Sequence, residues 1–454
     1  MKIIIVGAGE VGFHIASRLS IENKDVVVID SDSRAIRRVA ENTDVQTLLG
    51  SGSSPVILEE AGLKGADILL AVTNSDETNL VACLVANLIS PSTKKLARIR
   101  HSDFDQYHET FREKAPYIDT VINPEIEVIK TIERLIMVPG AVEVVDLADG
   151  RLKLVGVRLT PDAPLVGQRL SDVDVQLGDR NFLIAAIVRN EQMIVPRGET
   201  WLMPNDLVYF ISEHARLYDS MSVFEKAGPP VKRALIVGGG RVGTRLGIRF
   251  EKSDIKAKIV EKDADRCVRL AERMSKTLVL HGDGSDQDLL KEESIAGMDV
   301  VVSLTNDEQT NILVSLLAKR LGAGNTITKI SKFHYIPLMA TIGIEQVIST
   351  RLSAINTILQ HIRKGKVLSA ISLKEEQAEV IEAVALSTSE ITGKPLKKIA
   401  IPKGVLLIGI IRGEEIIVPD GNTTVLPEDR VIIFAKRQMV PKVEKLLAVK
   451  LEFF

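Results

Sequence analysis

Gly7, Gly9 and Gly12 follow the apolar run Ile3–Val6 with the spacing G-x-G-x-x-G, and Asp30 closes the next apolar run, DVVVID. A strand, a glycine turn, a helix and then an acid at the end of the following strand form the context in which this spacing binds dinucleotides. Gly7 permits the tight strand-to-helix turn. Gly9 lacks a Cβ, so backbone can approach a diphosphate, and Gly12 lets the helix sit close to the first strand. The loop and helix start, Ala8, Glu10 and Val11 included, present N–H groups and partial positive charge to phosphate. A carboxylate at Asp30 can accept hydrogen bonds from both ribose hydroxyls and would repel a 2′-phosphate. NAD(H) is therefore favoured over NADP. ATP or ADP would satisfy the same contacts, and the spacing does not separate them.

The constellation stands twice. Gly238, Gly240 and Gly243, with Gly239, Arg241 and Val242 between them, repeat the first set at a shift of 231 residues, and Glu261 repeats Asp30 at the same shift. Lys262 beside Glu261 weakens discrimination against a 2′-phosphate, and Arg241 in place of Glu10 adds positive charge that suits ATP. Three further pairs fall at the carboxyl ends of strands, where this fold places ligands. Gly50-Ser51 and Gly282-Asp283 follow the third strand near the expected adenine. Thr73-Asn74 and Thr305-Asn306 follow the fourth, where they serve equally as helix caps or as ligand contacts. Arg98 and Lys329 end the fifth and could pair with phosphate.

Other residues invite less. DGSDQD at 283–288 lacks the spacing of a calcium loop and reads as a helix cap. The histidines show no paired spacing and no metal site is expected. Cys83 and Cys267 read as core thiols, and Trp201 as packing.

These residues need a doubly wound scaffold, and the chain supplies two. Strands are expected at 2–6, 25–30, 45–49, 67–72, 95–100 and 119–122 as continuous apolar runs, with helices between them, including Asp76 to Ile89. Such runs suit parallel strands covered on both faces. VTNSDETNL (72–80) recurs as LTNDEQTNI (304–312), and Ile194-Val195-Pro196 recurs as Ile417-Val418-Pro419, so the whole chain is a tandem duplication of a two-part unit. The second part has short strands (152–159, 182–189, 192–195, 207–211) and a short helix at 167–173, a small α+β module. The fold class is α/β: two Rossmann-like doubly wound parallel-sheet domains, each followed by a small α+β domain. The expected boundaries are 1–123 and 233–350 for the Rossmann domains, 124–142 and 351–366 for connecting helices, 143–226 and 367–454 for the small domains, and 227–232 for a Pro/Gly linker. The connecting helices carry apolar stripes, Ile126, Ile129, Ile132, Leu135 and Leu352, Ile355, Leu359, Ile362, suited to intrachain core or to a subunit contact.

A length of 454 residues fits about three domains, or four small ones. With 58 basic and 60 acidic side chains, the chain has no electrostatic footprint for nucleic acid, and no nucleic-acid partner is expected. No apolar stretch approaches the ~18–20 residues that cross a bilayer. Gly7, Gly9 and Glu10 interrupt the N-terminal apolar run too early for a signal peptide, which points to a cytoplasmic start.

Neither small module offers a catalytic acid, base or nucleophile in a repeated position, so an NAD-dependent oxidoreductase is the weaker reading and no catalytic residues are expected. Nucleotide binding without chemistry suits a sensor. IIIVGAGEVGFHIA with VVVIDSD, ALIVGGGRVGTRLG with KIVEKDAD, the two TN segments and the two IVP strands resemble the TrkA family of bacterial and archaeal Trk potassium uptake systems, built from tandem RCK (regulator of potassium conductance) units. The resemblance covers essentially the whole chain. It implies that the small modules are RCK C-terminal domains and that the connecting helices are crossover helices. It also implies a non-enzymatic regulatory subunit, peripheral on the cytoplasmic face of the cell membrane, which gates potassium uptake through a membrane subunit of TrkH/TrkG type. NAD(H) and ATP/ADP would be its ligands and a homotetramer ring of eight RCK units its assembly. A related regulator of another cation channel or antiporter has the same motifs. The family commonly has Asp after the third strand; Asp283 keeps it and Ser51 does not, so the adenine ends of the two sites differ.

Overall fold

The computed structural model describes residues 1–177, 182–362, 367–374 and 377–447. The ends of the expected second connecting segment (363–366) and of the last module (448–454) lie outside the described residues. The chain divides into two compact units.

The first unit is Met1–Glu127 together with the helix Thr350–Ile362. Its sheet contains β1 (Lys2–Val6), β2 (Asp25–Asp30), β3 (Gln46–Leu49), β4 (Ile68–Ala71), β5 (Lys94–Arg98) and β6 (Thr120–Ile122). All pair in parallel in the order β3-β2-β1-β4-β5-β6. This order places a topological switch between β1 and β4, the position outside whose carboxyl ends folds of this class bind ligands. Ile3, Ile4 and Ile5 are fully buried, since helices cover both faces of β1.

The second unit carries three sheets. One contains β7 (Glu143–Leu147), β8 (Leu152–Arg158), β9 (Phe182–Arg189), β10 (Gln192–Ile194) and β11 (Leu207–Glu213), antiparallel in the order β10-β9-β11-β8-β7. The next repeats the parallel order with β12 (Arg233–Val237), β13 (Lys256–Glu261), β14 (Leu278–His281), β15 (Val300–Ser303), β16 (Asn325–Lys329) and β17 (Gln346–Ile348). The last contains β18 (Val367–Leu373), β19 (Ala378–Val384), β20 (Val405–Arg412), β21 (Glu415–Ile417) and β22 (Arg430–Lys436) in the order β18-β19-β22-β20-β21. The two antiparallel sheets have the same connectivity and share one apolar core, in which Leu154, Ile211 and Tyr209 meet Val380, Ile432 and Phe434.

Each small module is closed by the same ion pair. Arg189 donates through Nε and Nη2 to buried Asp206, which also accepts the N–H of Met203. Arg412, Asp429 and the N–H of Leu426 repeat this arrangement. A buried carboxylate with three donors keeps its charge satisfied, which explains why this acid survives in both copies.

The small modules differ from the expected elements at two places. β7 lies outside the expected strands. The short helix runs Leu170–Leu177 rather than 167–173, because Gly167 adopts φ +80° and Arg169 bridges Trp201 in extended conformation. Trp201, read as packing, is 44% exposed and packs on the Arg169 guanidinium, 4.9 Å from its ring centroid.

The connecting helices are exchanged between the halves. Helix Pro124–Met137 sends Val128, Ile129, Ile132, Leu135 and Ile136 into the core that holds Ile236, Val242 and Leu246 of the second Rossmann domain. Helix Thr350–Ile362 packs on helix Glu10–Ile21 of the first, burying Ala354, Ile355, Ile358, Leu359 and Ile362. Each fully buried aliphatic side chain contributes about 1.5–3 kcal/mol. Ile126 and Leu352, expected on the stripes, are only half-buried.

Candidate functional site

The first glycine loop joins β1 to helix Glu10–Ile21. Gly7 adopts φ +111°, and a Cβ there would stand 2.9 Å from the backbone nitrogen of Thr73. A Cβ on Gly12 would stand 1.8 Å from the carbonyl oxygen of Gly7. A Cβ on Gly9 would meet nothing within 4 Å. Gly7 and Gly12 are thus demanded by the protein's own packing, while Gly9 borders open space. Ala8 and Val11 are buried, so only their backbones can serve a ligand. Helices Ser33–Asn42 and Asp76–Ile89 are capped by the side chains of Asp32 and Ser75, whereas the glycine-loop helix Glu10–Ile21 has Gly9 at its cap position and so no side-chain cap. Its first-turn N–H groups face the loop, a donor set that fits an anion.

Asp30 organises the loop. Its Oδ2 accepts the N–H of Ala8 at 2.6 Å and its Oδ1 that of Asp32 at 2.8 Å. Each oxygen keeps a second lone-pair position for a ribose hydroxyl. The backbone nitrogen of Gly50 donates to Asp30 O at 2.9 Å, bringing Gly50 and Ser51 to the same edge. The Ser51 hydroxyl lies 2.9 Å from that of Ser53.

Thr73, Asn74 and Arg98 meet at the ends of β4 and β5. Thr73 Oγ1 donates to Asn79 Oδ1 at 2.7 Å, so its proton is committed within the protein. Asn79, fully buried, also accepts the N–H of Thr73 and donates to the carbonyls of Thr73 and Arg98, at 2.9, 3.2 and 2.8 Å. It ties the two strand ends together. Asn79 was missed as a positioning residue, although its recurrence as Asn311 in the TN segments was the available signal. Arg98 Nη2 donates to Thr73 O and Asn74 Oδ1 at 2.7 and 2.9 Å, while its buried Nε has no hydrogen-bond partner. An orphaned, buried guanidinium N–H at these strand ends fits an anionic ligand.

The second loop repeats the geometry. Gly238 adopts φ +106°, a Cβ on Gly243 would stand 2.0 Å from Gly238 O, and one on Gly240 would meet nothing within 4 Å. Glu261 Oε2 accepts the N–H of Gly239 and Oε1 that of Asp263, at 2.8 and 2.9 Å. The backbone nitrogen of Gly282 donates to Glu261 O at 2.9 Å. Asn311 binds Thr305 and the carbonyl of Lys329 as Asn79 does Thr73 and Arg98. Lys329 Nζ donates to Leu304 O at 3.3 Å, and Asn306 is exposed next to Thr305. Arg241 and Val242 begin the helix Arg241–Glu251, with Val242 buried.

Known proteins match this arrangement along its whole length. The TrkA-N domain family model matches residues 3–124 and 234–350, and the TrkA-C domain model matches 154–221 and 380–448. The Trk system potassium uptake protein TrkA of Halomonas elongata is 37% identical over 458 residues, covering 100% of both chains. TrkA homolog 2 of Methanosarcina mazei is 37% identical, covering 98% of this chain and 100% of its own. The chain belongs to the TrkA family. Among solved structures, the GsuK RCK domain aligns with a TM-score of 0.60 at 17% identity, covering 98% of this chain and 94% of its own. The human SLO3 gating ring aligns at 0.50 and 13% identity, covering 97% and 100%. These likenesses establish the tandem RCK fold.

The two TrkA-N domains differ around their acids. Lys262, expected to act on Glu261, instead pairs with Asp283 at 2.9 Å. The cation at Glu261 is Arg266, 3.3 Å away, and Ala35 holds the duplicated position in the first domain. Burial pushes the Glu261 carboxyl up, but the N–H groups of Asp263 and Gly239 and the charge of Arg266 more than offset this and hold it low. Cys267, expected in the core, is half-buried, with Sγ 3.3 Å from Glu261 O; Cys83 is buried and its thiol is pushed up to about 12 by desolvation. Asp286 caps helix Gln287–Glu292, as DGSDQD suggested.

Hydrogen bonds from the Ser285 side chain and backbone, and then from Lys262, lower the Asp283 carboxyl from 3.8 to about 2. A depressed carboxyl stabilises the folded state above its unfolded pKa, so this contribution is complete above about pH 4 and is lost as pH falls toward 2. Carbon-detected NMR titration should place the Asp283 midpoint near 2 and show it rising in Lys262→Met. An unmoved midpoint in that variant would contradict the role given to Lys262.

Proposed function

We propose that this chain is the nucleotide-sensing regulatory subunit of a Trk-type potassium uptake system, and that it acts without catalysis. The observation that carries this reading is the pair of glycine loops, each braced by an acid through backbone N–H groups and each bordering open space at Gly9 or Gly240. Relatives that share the full length are named potassium uptake proteins, and a fold neighbour is titled the GsuK channel bound to NAD. A bound NAD(H), or ATP/ADP as the alternative, supplies a ribose and a diphosphate. Asp30 and Glu261 hold the ribose hydroxyls; the first-turn N–H groups at Glu10–Gly12 and Arg241–Gly243 hold phosphate. Ser51, Asp283, Thr73, Asn74, Thr305 and Asn306 line the strand ends around it, with Arg98 and Lys329 beneath.

Among the described residues no helix is long and apolar enough to cross a membrane. The proposed station is the cytoplasmic face of the cell membrane, bound to a potassium-translocating subunit of TrkH/TrkG type, with four chains forming a ring. A ligand that favours one ring geometry shifts its population and so the pore's. Potassium flux through that subunit in vesicles, with and without this chain, across NADH and ATP/ADP titrations tests the reading. Nucleotide-dependent flux is expected. Flux indifferent to the chain, with nucleotide binding confirmed, would refute this pairing and return attention to another cation channel or to oxidoreductase chemistry.

A further inference from the structure

Glu10, the first residue of the glycine-loop helix, stands among cations. Arg38 Nη1 lies 2.6 Å from its Oε1, and Arg351 Nη1 lies 3.5 Å from its Oε2. Arg38 is itself fixed, with its guanidinium 4.2 Å over the ring of Phe13. Arg351 is different in origin. It is the second residue of helix Thr350–Ile362, which the chain's second half delivers to the first Rossmann domain. Burial, together with the charges of Arg100 and Arg351, pushes the Arg98 guanidinium down to about 10, so Arg351 is felt at the ends of β4 and β5 as well as at the loop. The duplicated positions carry the opposite signs: Arg241 replaces Glu10 and Glu125 replaces Arg351.

We propose that Arg351 is a phosphate-sensing residue of the first site, which Glu10 holds in place as a stand-in anion and which a nucleotide polyphosphate recruits. This deepens the nucleotide reading above and rests on it. A diphosphate or triphosphate beside Gly9 adds negative charge next to the Glu10 carboxylate. The guanidinium of Arg351 is then drawn to phosphate, where it can bond two oxygens at once. Glu10 competes for the same cation and repels the same ligand. The crossover helix that carries Arg351 is thereby held more firmly when phosphate is present, which links occupancy of the first site to an element of the second half.

The two members of this ion pair should therefore act in opposite directions, which a merely structural bridge would not do. Calorimetric titration of the full chain with ATP, ADP and NADH reads this. Arg351→Gln should weaken ATP binding about tenfold and ADP binding less, as expected for one charge-assisted contact. Arg351→Lys should recover most of the loss. Glu10→Gln should tighten ATP binding. Hydrogen exchange over 350–362 should slow on ATP addition in the parent chain and not in Arg351→Gln. Parallel losses in Arg351→Gln and Glu10→Gln, or no change in either while the parent binds ATP, would overturn the inference alone. Absence of nucleotide binding in the parent chain, with Asp30→Ala equally inert, would overturn the nucleotide reading and this inference with it.

Discussion

Gly12→Ala should abolish nucleotide binding at the first loop while Gly9→Ala separates binding from stability. The added Cβ at Gly12 would stand 1.8 Å from the Gly7 carbonyl oxygen and 3.0 Å from its carbon. Neither can step aside, because Gly7 is held in a positive-φ conformation and its N–H is bonded to Ile29 O at 2.8 Å. The helix must move away from β1 or the loop must open. Either shift misaims the first-turn N–H groups, and losing two charge-assisted contacts of about 1.5–3 kcal/mol each costs 100-fold or more in affinity. Overpacking against backbone adds a stability loss of about 2–3 kcal/mol. At Gly9 a methyl group meets no protein atom within 4 Å, and φ −63° suits alanine. Gly9→Ala should unfold within about 1 kcal/mol of the parent and still bind nucleotide poorly, because its methyl fills the space beside the helix start. Calorimetric binding with denaturant unfolding on both variants separates the two effects. Undiminished binding in Gly9→Ala would mean that no ligand lies against this loop.

Asn79→Leu should be the most damaging single change away from the glycines. Asn79 is fully buried and makes four hydrogen bonds that join the end of β4 to the end of β5. Leucine leaves the N–H of Thr73 and the carbonyl of Arg98 without these partners in a dry site. Each buried orphan costs about 1–3 kcal/mol, so a local loss of about 3–4 kcal/mol is expected. Hydrogen exchange of β4 and β5 should accelerate accordingly, with β2 and β3 less affected. Thr73 and Arg98 lose their common anchor, so nucleotide affinity should fall as well. Asn311→Leu should reproduce the exchange effect in β15 and β16. Exchange unchanged in both variants would show that the asparagines are not the tie.

The parallel sheets were legible because their signal is redundant. The first, second and fourth strands of the first copy are apolar runs followed by glycine, acid or threonine-asparagine, and the duplication presents these ends twice. The small modules gave less. β7, EVVDL, is short and mixes charge with apolar residues, since half-buried Glu143 accepts the Tyr209 hydroxyl at 2.7 Å and Asp146 pairs with Lys153. Such charges disguise a strand when their partners lie on other strands. The turn after it, Ala148, Asp149 and Gly150, takes positive φ at three successive residues, which no local pattern announces. At the site, residue types and spacing located the glycines and acids, but not the partner of each charge. Lys262 adjoins Glu261 in sequence and points to Asp283, while Arg266, one helical turn on, reaches Glu261. The apolar stripes on the connecting helices were equally plain. Periodicity shows that a helix has a buried face and says nothing of which sheet receives it.

That last point bears on how the protein is made. The first Rossmann domain receives residues 350–362 on its helix Glu10–Ile21, so during synthesis that helix must wait for most of the chain before it is covered. Until then the side of helix Glu10–Ile21 that residues 350–362 cover stays open, and the buried side chains Ala354, Ile355 and Ile358 have yet to be made. A single unit severed at the linker would have to lend its helix to a second copy and borrow one back. Gene fusion turns that bimolecular trade into an intramolecular one, with an effective concentration fixed by the covalent chain rather than by expression level. The duplicated halves can then diverge in charge, as Glu10 and Arg241 have, because the covalent chain always supplies each half with the other.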